Sequence, residues 1–147
     1  MGLEDLYKEV ILDHYKSPRN KRELPGAQLS CSKNNPLCGD EITVHARLQD
    51  GTVAEVTFEG QGCSISQASA SMLTEAVTGR AVPEAERMAA DFRGMMEGTV
   101  EPTEEEFGDL VALKGVAKYP VRIKCAVLAW DVLQDALTGD RSAEPSG

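Results

Sequence analysis

Apolar residues near the start of the chain recur at spacings of three and four. Leu3, Leu6, Tyr7, Val10, Ile11 and His14 share one helical face, and Ser17-Pro18 ends the pattern. A polar, turn-rich stretch over 16–26 reads as a solvated loop. Ala27, Leu29 and Cys31 then alternate with polar neighbours, the pattern of a weak strand. Two clearer strands follow. Ile42, Val44, Ala46 and Leu48 alternate with Thr43, His45 and Arg47, Asp50-Gly51 marks a hairpin turn, and Ala54, Val56 and Phe58 resume the alternation with Glu55, Thr57 and Glu59 outward. After Gly60-Gln61-Gly62 the period changes. Over 63–78, Ile65, Ala68, Met72, Leu73, Ala76 and Val77 fall on one helical face that Gly79 closes, and Pro83 opens another helix through about residue 96. The segment 97–115 is acidic, and within it Thr103 and Glu106 form a capping box ahead of Phe107, Leu110 and Val111. A last helix is predicted over 121–137.

One helix, three strands and then several helices make an α+β fold: a three-stranded antiparallel sheet with helices packed mainly on one face. The pattern predicts a single domain over 1–138, with the acidic 97–115 segment as an insertion. The tail over 139–147 lacks apolar residues and is expected to be disordered. No repeat or linker divides the chain.

Composition narrows the function classes. The 147 residues hold 15 basic and 24 acidic side chains, a net charge of −9 that argues against nucleic-acid and anionic-membrane partners. The longest apolar run, Cys125 to Trp130, is far short of the roughly 20 residues that span a bilayer. The opening MGLEDLYKEV has alternating charges instead of an apolar signal, so a cytoplasmic location is expected.

In that reducing setting four cysteines point to metal ligands, nucleophiles or core residues before disulfides. Cys31, Cys38, Cys63 and Cys125 contain no CxxC pair, which excludes zinc-ribbon and thioredoxin patterns. Cys38 lies on the turn-rich NNPLCGD loop, with Asp40 two residues on. Cys63 stands where a strand gives way to a helix, and there the helix dipole favours thiolate. Cys125 falls in the first or second turn of the last helix, near Arg122 and Lys124, which also favour thiolate. Each has a plain alternative: Cys38 as a loop thiol and Asp40 as a turn residue, Cys63 as a small residue at a Gly-rich bend, Cys125 as core. Three thiols and one carboxylate at element ends can converge at one sheet edge, where they suit tetrahedral zinc or the iron of a sulfide cluster. Cys31 reads as a half-buried thiol, His45 as a solvated surface residue and His14 as a packed one.

NPLCGD, GQGCSISQASASM and YPVRIKCAVLAW, with the opening LYKEVILDHYKSPRN, resemble the U-type iron–sulfur cluster assembly proteins, related to IscU and the NifU N-terminal domain. The likeness covers about residues 3–137 and is nearest to the SufU branch. The 61 positions from 64 to 124 between Cys63 and Cys125 form a longer interval than in the IscU branch, and 97–115 is similar to the SufU insertion. Lys124 stands where the scaffold branch has histidine. The resemblance implies a zinc-dependent sulfur acceptor for a PLP-dependent cysteine desulfurase of the SufS type, passing sulfur to downstream SUF assembly proteins. Matched residue by residue, Cys38, Asp40, Cys63 and Cys125 are the implied metal ligands, and Cys38 the implied persulfide-accepting thiol. Two alternatives stay open: a scaffold building a [2Fe–2S] cluster or holding iron on the same residues, and a zinc-stabilised interaction domain.

Overall fold

A computed structural model describes residues 3–36, 39–101 and 103–142. Cys38 and residues 143–147 of the expected tail lie outside this range. The helix α1 (Leu3–Lys16) leads to three antiparallel strands, β1 (Leu29–Asn35), β2 (Asp40–Gln49) and β3 (Thr52–Gln61), in the order β1-β2-β3. Then come α2 (Ser64–Val77), α3 (Val82–Glu97), a short α4 (Glu104–Phe107), a 3₁₀ helix (Gly108–Lys118) and α5 (Pro120–Ser142).

The meander follows from its period and its turn. Ile42, Val44 and Ala46 of β2 are fully buried, and Val44 and Ala46 pair with Phe58 and Val56 of β3 on the same face. Asp50 and Gly51 both take positive φ, 53° and 77°, as a two-residue type I′ hairpin requires. Against this face α5 packs over β1 and β2, and α2 over β3. Phe92 of α3 stacks on Trp130 of α5 with ring centroids 5.1 Å apart.

The structure corrects the sequence pattern in three places. A β-bulge breaks the register between Arg47 and Leu48: Arg47 faces Glu55 and Leu48 faces Val53, so Ala54 is the extra residue. Val53 takes the inward place expected for Ala54 and is 0% exposed. Thr57 points to the outer face yet is buried, because the segment 20–28 crosses that face as a strap. The Phe58 N–H donates to the Asn20 carbonyl at the free edge of β3, the Gln28 N–H donates to the Ala46 carbonyl of the central strand β2, just ahead of β1, and Arg22 pairs with the outward Glu55 at 2.7 Å. The Arg22 guanidinium, with Arg47 beside it, holds the Glu55 carboxyl below the usual range. Within the acidic 97–115 segment helix begins at Glu104, where the capping box places it, and Phe107, Leu110 and Leu113 enter the core. The Glu106 N–H donates to Thr103 Oγ1 at 3.2 Å, one half of the expected capping box. Finally, α5 runs to Ser142, so 139–142 are helical instead of the start of a disordered tail.

Candidate metal centre

Three separate segments meet at one edge of the sheet. Asp40 opens β2, Cys63 is the residue before α2, and Cys125 lies in the second turn of α5. One carboxylate oxygen of Asp40 and the two Sγ atoms all lie within 4.8 Å of one another. Asp40 is 1% exposed, Cys125 0%, and Cys63 half-buried. The centre therefore sits just under the surface, reached from the Cys63 side.

Local sequence explains each placement. The strand pattern carries Asp40 inward, in phase with Ile42 and Val44. Gly60 and Gly62 let β3 end tightly against β2. A Cβ on Gly60 would lie 2.0 Å from the Glu41 carbonyl oxygen, and one on Gly62 would lie 2.3 Å from Asp40 Oδ1. Cys63 N–H donates to Asp40 Oδ1 at 2.9 Å, so the carboxylate does for α2 what a capping-box glutamate does from within a helix. Pro120 begins α5 where a missing N–H costs nothing, and the next turn delivers Cys125. Arg122 and Lys124 are exposed on that helix.

Asp40 Oδ2 is buried and has no hydrogen-bond partner among the described residues. A buried carboxylate oxygen is costly unless something positive or protic faces it. Two thiols and one oxygen within a few ångströms form a donor set suited to zinc, and to iron in a sulfide environment. The residues fit such an ion.

The remaining cysteine among the described residues and the two histidines lie apart from this group. Cys31 is half-buried on β1, opposite Val44, and belongs to no candidate metal group among the described residues. His45 is bound on both sides, 2.7 Å from Ser30 Oγ and 2.7 Å from Glu59 Oε2. His14 is 1% exposed, yet it is a polar bridge: Nδ1 lies 2.7 Å from Ser71 Oγ and Nε2 2.9 Å from Asp109 Oδ2. Sequence reasoning missed Ser66, which is fully buried with its Oγ 3.1 Å from Asp40 Oδ1. Its signal is slight, a small polar residue one helical turn after Cys63.

The NifU-like N terminal domain model matches residues 6–126. The chain is 46% identical over 133 residues to the zinc-dependent sulfurtransferase SufU of Bacillus subtilis, covering 90% of each. It is 39% identical over 142 residues to the iron–sulfur cluster assembly scaffold protein IscU of Streptococcus pyogenes, covering 97% of this chain and 89% of that one. Among solved structures it is similar to a candidate iron–sulfur cluster assembly scaffold protein for the SUF system of Fervidobacterium islandicum, at 34% identity and a TM-score of 0.83 over 92% of this chain and 99% of that one. A NifU-like N-terminal protein of Brucella abortus, 23% identical with a TM-score of 0.86, covers 96% of this chain and 98% of that one and shares the fold.

Proposed function

The chain belongs to the NifU-like N-terminal domain family, and we propose that within iron–sulfur cluster assembly it is a zinc-dependent acceptor of persulfide sulfur from a PLP-dependent cysteine desulfurase. The observation that carries this reading is the meeting of Asp40, Cys63 and Cys125 around a buried, unpartnered carboxylate oxygen. The 46% identity to a protein named zinc-dependent sulfurtransferase supports reading that geometry as a zinc site.

Asp40, Cys63 and Cys125 would hold the ion, with Cys38 as the fourth ligand. Bound zinc would keep the coordinated thiols deprotonated and protected from oxidation. Cys38 is the sulfur acceptor in this reading. It lies between β1 and β2, beside Gly39, whose N–H donates to the Asn35 carbonyl at 2.9 Å and which has open space around it. A thiol between two strands can leave a ligand set at less cost than Cys63, which caps α2, or Cys125, which is built into a turn of α5. The Cys38 thiolate attacks the outer sulfur of the desulfurase persulfide. A new S–S bond forms, the desulfurase S–S bond breaks, and the desulfurase cysteine leaves as thiolate.

A cleft beside the centre supplies a seat for the desulfurase. Ile11, Leu12, Ile65, Val116 and Tyr119 line it together with Lys8, Lys118 and Arg122. Leu12 and Tyr119 leave apolar surface exposed in this cleft, which a partner would cover. From the desulfurase the sulfur passes through this protein to downstream assembly proteins.

The test is desulfurase turnover with and without the protein, coupled to metal analysis. A colourless protein with one zinc that accelerates turnover supports relay. The scaffold reading rests on the 39% identity to IscU and expects a brown, visibly absorbing protein after reconstitution with iron and sulfide. Zinc without acceleration supports an interaction domain.

A further inference from the structure

The two oxygens of Asp40 have unlike surroundings. Oδ1 accepts the Cys63 N–H at 2.9 Å and lies 3.1 Å from Ser66 Oγ, while Oδ2 is buried without a partner among the described residues. The single hydroxyl proton of Ser66 has two acceptors in reach, Asp40 Oδ1 and the Cys63 carbonyl, each at 3.1 Å. That carbonyl already takes the Gln67 N–H at 3.1 Å, and a carboxylate is the stronger acceptor, so the proton goes to Oδ1. Gly62 leaves room for this arrangement, since a Cβ there would lie 2.3 Å from Oδ1 and 2.7 Å from Ser66 Oγ.

We infer that Ser66 is a positioning residue for the metal centre: with the Cys63 amide it holds Asp40 Oδ1 and reserves Oδ2 as the single oxygen ligand. The inference rests on the metal-site reading above. Its physical content is a division of labour within one carboxylate. Oδ1 is committed to the first turn of α2, so the group cannot turn to give both oxygens to an ion. The coordination place that a chelating carboxylate would take is thereby kept for another donor. Ligand-orienting bonds of this kind affect metal affinity by roughly 10–100-fold when lost.

The experiment compares the wild-type chain with Ser66→Ala in three measurements: zinc affinity by competition with a chromophoric chelator, the visible spectrum with cobalt(II) in place of zinc, and melting with and without metal. We expect Ser66→Ala to weaken zinc binding roughly 10–100-fold and to shift the cobalt d–d bands as the carboxylate turns. The metal-free Ser66→Ala protein should lose less melting temperature than the zinc-loaded one, because the buried bond to Oδ1 is lost in both forms and the hold on the ion only in the loaded form. Equal zinc affinity and equal cobalt spectra would overturn the inference and leave the metal site standing. A metal-free Ser66→Ala that loses as much melting temperature as the loaded form would reduce Ser66 to a helix-end residue and overturn it too. A wild-type chain that takes up neither zinc nor cobalt would overturn the site itself and this inference with it.

Discussion

Asp40 is the residue whose surroundings make least sense without a cation, since one buried oxygen is doubly satisfied and the other has no partner. Gly62 tests the same point from the backbone side. Gly62→Ala forces its methyl into the space of Asp40 Oδ1 and Ser66 Oγ, so the purified variant should carry less than a tenth of the wild-type zinc. Metal analysis after dialysis against a weak chelator reads this, and wild-type zinc content would contradict it. The cysteines divide cleanly: Cys63→Ser and Cys125→Ser should lose zinc, whereas Cys31→Ser, on a strand outside the cluster, should keep it. An empty site in Cys31→Ser would show the ligand assignment to be wrong. At this scale the candidate site was largely legible. A thiol in a Gly-rich bend and a carboxylate two residues after another thiol are chemical signals in themselves. Ser66 was not, because a buried serine in a helix reads the same whether it touches a ligand or a carbonyl.

The elements around the site are tied by polar contacts that hydrophobic periodicity does not report. His14 joins α1 to Ser71 of α2 and to Asp109 of the 3₁₀ helix while 1% exposed. His14→Leu would leave the Ser71 hydroxyl without that partner and release Asp109, so it should cost about 1–3 kcal/mol in urea unfolding. No change in the midpoint would mean that packing alone docks the insertion. Lys33 of β1 and Asp135 of α5 form an ion pair at 2.8 Å, and that hydrogen bond raises the lysine pKa above its ordinary value. A raised pKa means the pair stabilises the fold below the unfolded lysine pKa, and the effect is lost as pH rises through the folded value. Both side chains are more than a third exposed, so the difference between wild type and Lys33→Met should be under about 1 kcal/mol near neutrality. It should vanish as pH climbs past the lysine range, and a difference that grows there would contradict the pairing. The strands were legible because one buried face imposes a period of two, and the Asp50-Gly51 turn fixed their pairing. The bulge at Ala54 was not, since one extra residue leaves apolar residues at both 53 and 54 and only the partner strand decides between them. That 108–118 winds as a 3₁₀ helix was not legible either, since buried Leu110 and Leu113 three residues apart fit an α-helix as well.

For the molecule as a whole, the candidate metal centre draws on β2, α5 and the residue before α2, elements that otherwise meet through the core. No spacing rule announces this, because the topology of the sheet, and not sequence distance, brings position 125 to positions 40 and 63. Metal bound only by the folded state stabilises it by mass action, about 4 kcal/mol when free ligand stands a thousandfold above Kd. Removing zinc with a chelator should therefore lower the melting temperature by several degrees or more, as scanning calorimetry would record. An unchanged curve after verified removal would count against a site shared by three elements. Among the described residues no helix is long and apolar enough to cross a membrane, and the Lys8–Arg122 cleft is the proposed seat of the desulfurase. There Tyr119, 62% exposed, is the natural place to disturb docking without touching the fold. Tyr119→Asp should raise the concentration needed for half-maximal desulfurase stimulation at least tenfold and leave zinc content intact. Unaltered stimulation would place the desulfurase elsewhere.

The central claim is that this chain takes sulfur on a cysteine of a zinc-holding site. It is tested most directly by incubating the zinc-loaded protein with the desulfurase and cysteine, trapping with an alkylating agent, and locating the added sulfur by mass spectrometry while zinc is counted in the same sample. The account predicts the extra sulfur on Cys38 with zinc still bound. Sulfur found only on Cys63 or Cys125, or a stable iron–sulfur cluster that passes intact to an apo-acceptor, would contradict it.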